Sequence, residues 1–139
     1  MYLRNIKIWN FRKIATSDCS GEIRPDNPGI DIEFNRTLNI LVGENNSGKT
    51  AIVDAIRFIL GTQSLEYQRL DELDFYSNQN GRKRELRIEC LFSGFTDQEA
   101  GHFLEWLHFN EQQQYELRVW LFAYLRDNRA IYNVRAGID

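Results

Sequence analysis

The sequence is short of cysteine and of basic charge, and it contains no long apolar run. Its two cysteines, Cys19 and Cys90, lie far apart and form no metal-binding or redox spacing, so we expect two free thiols in a reducing cytoplasm. No apolar run reaches about 18 residues, which argues against a membrane-spanning helix, and the N-terminus shows no signal-peptide pattern. The net charge of −3 means that any DNA contact must come from a local patch or from parts of the protein outside this sequence.

Proline is also rare, and both prolines fall in one turn cluster at residues 24–29. Before this cluster, residues 2–9 alternate between apolar and polar side chains, which predicts an edge-like strand with one buried face. Strand-like stretches follow at residues 14–23 and 30–34. The 139 residues, of which 42% are hydrophobic, are enough for one domain, residues 1–139, with a substantial core.

The most informative stretch is residues 43–50, which reads G-E-N-N-S-G-K-T and fits the phosphate-binding pattern G-x-x-x-x-G-K-[ST]. Residues 38–42 before it predict a buried strand, and residues 51–60 after it predict a helix, which is the strand–loop–helix order that the chemistry requires. Glycines allow backbone N–H groups to converge on an anion, and the positive end of the helix strengthens that field.

Two side chains of this motif have expected roles in binding a nucleotide. Lys49 would reach the β- and γ-phosphates as a point charge, and the hydroxyl of Thr50 would hold Mg²⁺. The motif therefore predicts a site for ATP and Mg²⁺. The alternative is a glycine-rich turn that caps a helix and binds nothing.

The order of the elements predicts the fold class. Antiparallel strands come first and the phosphate-loop strand comes third or fourth, which suggests an α/β P-loop fold with an antiparallel β-sheet beside the P-loop strand and helix. The helix at residues 51–60 is apolar around most of its circumference, so we expect it to be covered on several sides, as between two sheets. Gly61 is expected to end it.

The second half of the chain predicts further strands and one longer helix. Residues 63–77 predict irregular structure with a short helix whose carboxylates form a solvated face rather than a metal site. The basic triplet at residues 82–84 is either a solvated turn or a contact to a phosphate backbone. Thr96 and Glu99 form a capping-box pattern that opens a helix extending to about residue 109. Strands are predicted at residues 86–92, 115–125 and 130–134.

No second acidic motif follows the phosphate loop in this sequence. A complete P-loop hydrolase needs a short apolar strand that ends in Asp or Asp-Glu, because that acid holds Mg²⁺ and helps to orient water. An ABC signature and the Asn-Lys-x-Asp motif of GTPases are missing from the sequence as well. We therefore assign no catalytic residue, and we expect the chain to bind nucleotide as the N-terminal piece of a longer protein.

Several stretches resemble known ATPases. Residues 3–14, which contain Asn10-Phe11-Arg12, resemble the opening strand of the RecF/SMC-type ABC ATPase heads, and residues 40–50 and 54–60 resemble their Walker A motif and the helix after it. The Asn45-Asn46 pair and Asp74-Phe75 are most similar to the OLD (overcoming lysogenization defect) family. Proteins of that family join such an ATPase to a C-terminal Toprim nuclease, and the Gabija anti-phage nuclease is a relative.

The resemblance covers residues 1–95 well and implies a set of roles. It implies the N-terminal, Walker A part of an ATPase head, with the remainder of the head and any Toprim domain absent from this chain. It implies ATP and Mg²⁺ as cofactors, with DNA contacted by the intact protein and a homo-oligomer formed through the ATPase heads. The residues expected to bind the nucleotide are Arg12, Asn45, Asn46, Ser47, Gly48, Lys49, Thr50 and Ala51, with Thr50 also binding the metal.

Two other functions remain open from the sequence. A structural or dimerisation lobe with weak nucleotide binding is suggested by residues 115–125, where both faces of the predicted strand are apolar. A small-molecule P-loop kinase would suit the phosphate loop. It would not suit the position of that loop after several strands.

Overall fold

The computed structural model describes residues 1–40, 48–61 and 69–138. A sheet with one helix packed on it forms the core of this part of the chain. Its helices are α1 (Lys49–Leu60), a 3₁₀ helix (Glu72–Asp74) and α2 (Asp97–Gly101). Its strands are β1 (Tyr2–Trp9), β2 (Ile30–Glu33), β3 (Ser77–Asn78), β4 (Gly81–Arg82), β5 (Glu85–Ser93), β6 (Leu107–Phe109), β7 (Tyr115–Arg126) and β8 (Arg129–Ala136).

Six of the described strands form one sheet in the order β2-β1-β5-β7, with β6 and β8 both pairing along the far edge of β7. All of these pairings are antiparallel. Strands β3 and β4 form a separate two-stranded hairpin. The predicted α/β class with an antiparallel sheet is confirmed. The prediction that β1 is an edge strand is wrong, because β2 and β5 pair with it on both sides.

The sheet forms because alternate residues of its central strands are apolar and share one face. Ile6 and Ile8 on β1 are fully buried, as are Ile88 on β5 and Leu121 on β7. The predicted strands at residues 86–92, 115–125 and 130–134 are confirmed as β5, β7 and β8. The turn between β7 and β8 is made by Asp127 and Asn128, with φ of 51° and 62°, as a two-residue hairpin requires.

Helix α1 lies against the sheet at β5 and β7. Its buried apolar residues are Ala51, Ile52, Ala55 and Ile59. Gly61 ends the helix as predicted, with φ 57° and its N–H 3.1 Å from the carbonyl oxygen of Arg57. The expectation that several sides are covered is wrong for the described residues, because the apolar side chains of Val53 and Leu60 are exposed.

Residues 14–23 do not form the predicted strand. Polar side chains in this loop satisfy the backbone groups that a strand would have paired. The carboxylate of Asp18 accepts hydrogen bonds from the N–H and the hydroxyl of Ser20. The side chain of Asn27 accepts from the N–H of Arg24 at 2.7 Å and donates to the carbonyl of Glu22 at 2.7 Å.

The strand predicted at residues 38–42 is also wrong for its described part. Residues 38–40 have no strand pairing, and Leu38 and Ile40 are exposed. The side chain of Asn39 accepts from the N–H of Asn35 at 2.7 Å and donates to its carbonyl at 2.9 Å, which turns the chain before a strand can begin. Residues 41 and 42 lie outside the described ranges.

The helix predicted from residue 97 to about 109 is much shorter, because α2 ends at Gly101. Glycine weakens a helix, and residues 107–109 pair instead with β7 as β6. Thr96 caps α2 as predicted by accepting from the N–H of Glu99 at 3.2 Å. The carboxylate of Glu99 bonds the N-terminal amino group of Met1 at 2.7 Å rather than completing the capping box.

The basic triplet at residues 82–84 serves the fold itself. Arg82 donates to the carbonyls of Glu72 and Phe75 at 2.8 and 2.9 Å, and Arg84 donates to the carbonyl of Leu125 at 3.1 Å. The short helix predicted within residues 63–77 corresponds to the 3₁₀ helix, and residues 62–68 lie outside the described ranges. Within those ranges, no helix is long and apolar enough to cross a membrane.

The two thiols differ in accessibility, which gives a direct test of the fold. Cys19 is exposed, whereas Cys90 is fully buried in the sheet, where desolvation and the neighbouring Glu89 raise its pKa to about 12. We expect an aromatic disulfide reagent at neutral pH to modify Cys19 rapidly in the native chain and Cys90 only after denaturation. The Cys19→Ser variant should show no rapid reaction; a rapid reaction of that variant would contradict the placement of Cys90.

Candidate functional site

Helix α1 begins inside the phosphate-loop motif. Gly48 has φ 96°, a left-handed conformation, and the helix starts at the next residue, Lys49. The first turn contains no acidic side chain, and Gly48 provides no side-chain cap. A helix start without carboxylates suits a bound anion, because the helix dipole and the N–H groups of the first turn both favour negative charge.

The described residues of the motif differ in their exposure to solvent. Lys49 is half-buried and Thr50 is exposed at the surface of the first turn. Ala51 is buried against the core, so only its backbone N–H is suited to an anion. The predicted site residues Asn45, Asn46 and Ser47 lie outside the described residues.

The turn that follows β1 brings Arg12 to the side of α1. Asn10 and Arg12 have φ of 54° and 55°, which is uncommon for residues other than glycine and persists where surrounding contacts impose it. Phe11 between them is fully buried and meets the ring of Phe58 on α1 edge-on, with ring centroids 6.1 Å apart. Phe11 also forms an antiparallel bridge with Phe75.

Backbone hydrogen bonds hold this turn against the segment around the 3₁₀ helix. The N–H of Arg12 donates to the carbonyl of Asp74 at 2.7 Å, and the N–H of Tyr76 donates to the carbonyl of Asn10 at 2.9 Å. The side chain of Asn10 donates to the carbonyl of Gly21 at 2.9 Å. The backbone that carries Arg12 is therefore held by hydrogen bonds to two other segments, one around Asp74 and one around Gly21.

The guanidinium group of Arg12 joins two carboxylates from different segments. Nη1 bonds Oδ2 of Asp54 on α1, and Nε donates to Oδ1 of Asp74 at 3.0 Å. The guanidinium carbon lies 4.9 Å from the ring centroid of Phe11. Burial alone would lower the pKa of Arg12, but the hydrogen bonds to Asp54 and Asp74 outweigh it and raise that pKa above its ordinary value.

This arrangement corrects the interpretation of the acidic residues at positions 63–77. Asp74 is 8% exposed and paired with Arg12, so the solvated face predicted there is wrong for this residue. Within the described ranges, no group of three or more His, Cys, Asp or Glu side chains is arranged to hold a metal ion. Arg12 is bonded to both the Asp54 and the Asp74 carboxylates.

Sequence reasoning missed the role of Asp54. It lies four residues after Thr50 on α1, and residues with that spacing share one helix face with Cβ atoms about 5–6 Å apart. That spacing is a signal in the sequence, but nothing in the sequence identifies Arg12 as its partner. Asp54 and Thr50 thus share one face of α1, and Arg12 is bonded to Asp54.

The chain is similar to known proteins in sequence and in fold. Residues 1–127 match the family model described as the AAA ATPase domain. The chain is 30% identical over 73 residues to the DNA replication and repair protein RecF of Francisella tularensis subsp. novicida, a match that covers 52% of this chain and 17% of RecF. It is 33% identical over 87 residues to the chromosome partition protein Smc of Chlorobaculum tepidum, covering 60% of this chain and 6% of Smc. The chain therefore spans only a small part of these relatives.

Solved structures also share the fold, and one of them is described here. It comes from work on the ATP-driven dimerisation and DNA-stimulated activation of SMC ATPases, and it superposes with a TM-score of 0.60 at 21% identity. The match covers 99% of this chain and 73% of that one. At this identity the likeness concerns the fold, and together with the sequence matches it supports an ABC-type ATPase head.

The left-handed conformation of Gly48 gives a test with a matched control. No described atom lies within 4 Å of a Cβ added at Gly48 or at Gly101, so space does not distinguish the two sites. Gly48→Ala should lower the free energy of unfolding by about 1–2 kcal/mol, because an L-residue is strained at positive φ. Gly101→Ala, within α2, should raise it by about 0.4–1 kcal/mol. Urea unfolding measures both; equal effects would contradict the described start of α1.

Proposed function

The chain belongs to the AAA ATPase domain family, and from this premise we propose that it binds ATP with Mg²⁺ at the start of α1. The observation that carries the proposal is the start of the helix at Lys49, directly after a left-handed glycine and with no acidic side chain in its first turn. A triphosphate is the anion that both the motif and this helix start favour.

The proposed roles follow the chemistry of each residue. The backbone of residues 45–51 wraps the phosphates, Lys49 neutralises the β- and γ-phosphates, and the exposed hydroxyl of Thr50 binds Mg²⁺. Arg12, which is bonded to Asp54 one turn after Thr50, is proposed as a further positive charge for the phosphates. The proposed set also includes Asn45, Asn46 and Ser47, solely because of their positions in the motif.

We propose that the chain is the Walker A part of an ATPase head in a larger cytoplasmic protein that couples ATP binding and hydrolysis to DNA processing. The names of its relatives support this, since RecF acts in DNA replication and repair and Smc in chromosome partition. Association of two heads is proposed from the ATP-driven dimerisation of the SMC ATPases. The finer proposal, an OLD-type protein with a Toprim nuclease and a role in repair or anti-phage defence, rests on Asn45-Asn46 and Asp74-Phe75.

A dimerisation lobe is the second candidate function, and one observation favours it. On the sheet face away from α1, Tyr124 of β7 and Ile131 of β8 are directly paired and both exposed. Trp120 on the same face is already buried, so the uncovered apolar area is smaller than the sequence suggests. A small-molecule kinase gains no support from the match to an ATPase family.

Nucleotide affinity tests the proposed site. Lys49→Ala should weaken binding of Mg·ATP at least about tenfold, or roughly 1.4 kcal/mol, because it removes a charge that faces the phosphates. Isothermal titration calorimetry on the 139-residue chain measures this. Lys7→Ala, which removes the same charge from β1 far along the sequence from the motif, should leave the affinity unchanged. Equal affinities of the Lys49→Ala variant and the unaltered chain would reject the proposal.

A further inference from the structure

We propose that Asp54 and Asp74 are positioning residues for phosphate binding, because they hold the Arg12 guanidinium beside α1, one turn after Thr50. This inference rests on the proposed function and adds to it a role for two carboxylates that do not themselves touch a phosphate. Two negative charges beside an anion site would ordinarily oppose binding. Here the two carboxylates favour binding because they fix the position of the Arg12 side chain.

Each carboxylate is itself held on its second oxygen. Oδ1 of Asp54 lies 3.4 Å from Nη1 of Arg57, one turn further along α1. Oδ2 of Asp74 accepts the N–H of Asp71 at 3.0 Å as part of the capping box of the 3₁₀ helix. The two anchors therefore cannot rotate away from Arg12 without losing other hydrogen bonds.

The two aspartates are more deeply buried than the arginine that they hold. The side chains of Asp54 and Asp74 are 10% and 12% exposed, whereas the Arg12 side chain keeps 29% of its surface exposed. A guanidinium carries five N–H donors in a planar fork, and the bonds to Asp54 and Asp74 use two of them. An arginine fixed in this way keeps donors for phosphate oxygens and loses little conformational entropy on binding.

The helix geometry places the ion pair of Arg12 and Asp54 one turn after Thr50. Asp54 shares a helix face with Thr50, and side chains on a helix lean toward the N-terminal turn. The Asp54 carboxylate, with Arg12 bonded to it, is thus on the same helix face as Thr50. Both Asn10 and Arg12 have positive φ, a conformation that costs backbone free energy. The surrounding contacts hold both residues in this conformation.

The direction in which Asp54→Asn changes the affinity for Mg·ATP distinguishes a residue that positions Arg12 from one that only repels the phosphates. If Asp54 were only a negative charge near the phosphates, Asp54→Asn would reduce repulsion and tighten Mg·ATP binding. If Asp54 orients Arg12, the same substitution weakens binding, because asparagine is a poorer acceptor and releases the guanidinium. Asp74→Asn should weaken binding too, and it should also lower stability through the loss of the capping box.

A double-mutant cycle tests the inference by calorimetry with Mg·ATP on the 139-residue chain. Asp54→Asn should weaken binding about tenfold in the unaltered background, and it should have no further effect in the Arg12→Ala background, because it acts through Arg12. Arg12→Lys should recover only part of the affinity, since an ammonium cannot bond both carboxylates in the same plane. Asp31→Asn, an exposed carboxylate on β2 that bonds Asn5, is the charge-matched control and should not change the affinity.

The outcomes separate this inference from the proposed function. Tighter binding by Asp54→Asn, or equal weakening by Asp54→Asn in both backgrounds, would overturn the positioning role, whereas the proposed function would stand as long as Lys49→Ala weakens binding. Loss of native structure in Asp54→Asn is checked by unfolding without nucleotide. If that variant does not fold, the cycle is run with Asp54→Glu, which should retain more affinity than Arg12→Ala if the carboxylate orients Arg12.

Discussion

The guanidinium of Arg12 is the contact on which the rest of the candidate site depends. It joins three segments that are distant in the sequence: the turn after β1, helix α1 through Asp54, and the 3₁₀ helix through Asp74. Burying the Asp54 and Asp74 carboxylates without a cationic partner would cost far more free energy of folding than leaving the two exposed to water. The arginine therefore lets these segments meet, and it ties the middle of α1 to the turn after β1.

The antiparallel sheet gives this contact its rigidity. β1 lies between β2 and β5, so the turn that carries Arg12 emerges from the interior of the sheet rather than from an edge. Phe11 anchors the turn against Phe58 of α1. A side chain placed by packed strands and a helix is held more precisely than one on an open loop. An ATPase site needs such precision because phosphate charges are stabilised by donors fixed in advance.

The sequence predicted the elements that follow from local rules and missed those that depend on distant partners. Alternation of apolar residues predicted β1, β5 and β7, and the position of Gly61 predicted the end of α1. The helix predicted to residue 109 failed because the edge of β7 offers β6 a pairing that no local pattern reveals. For the same reason the partnership of Arg12 with Asp54 and Asp74, across 42 and 62 residues, was invisible to spacing alone.

A crystal structure of the chain grown with excess Mg·ATP tests the central claim most directly. The account predicts the triphosphate against the backbone N–H groups at the start of α1, with the Thr50 hydroxyl on Mg²⁺ and Arg12 still bonded to Asp54 and Asp74 while its remaining donors face the phosphates. ATP bound elsewhere on the chain, or ATP at α1 with Arg12 turned away from both the phosphates and its two carboxylates, would contradict it.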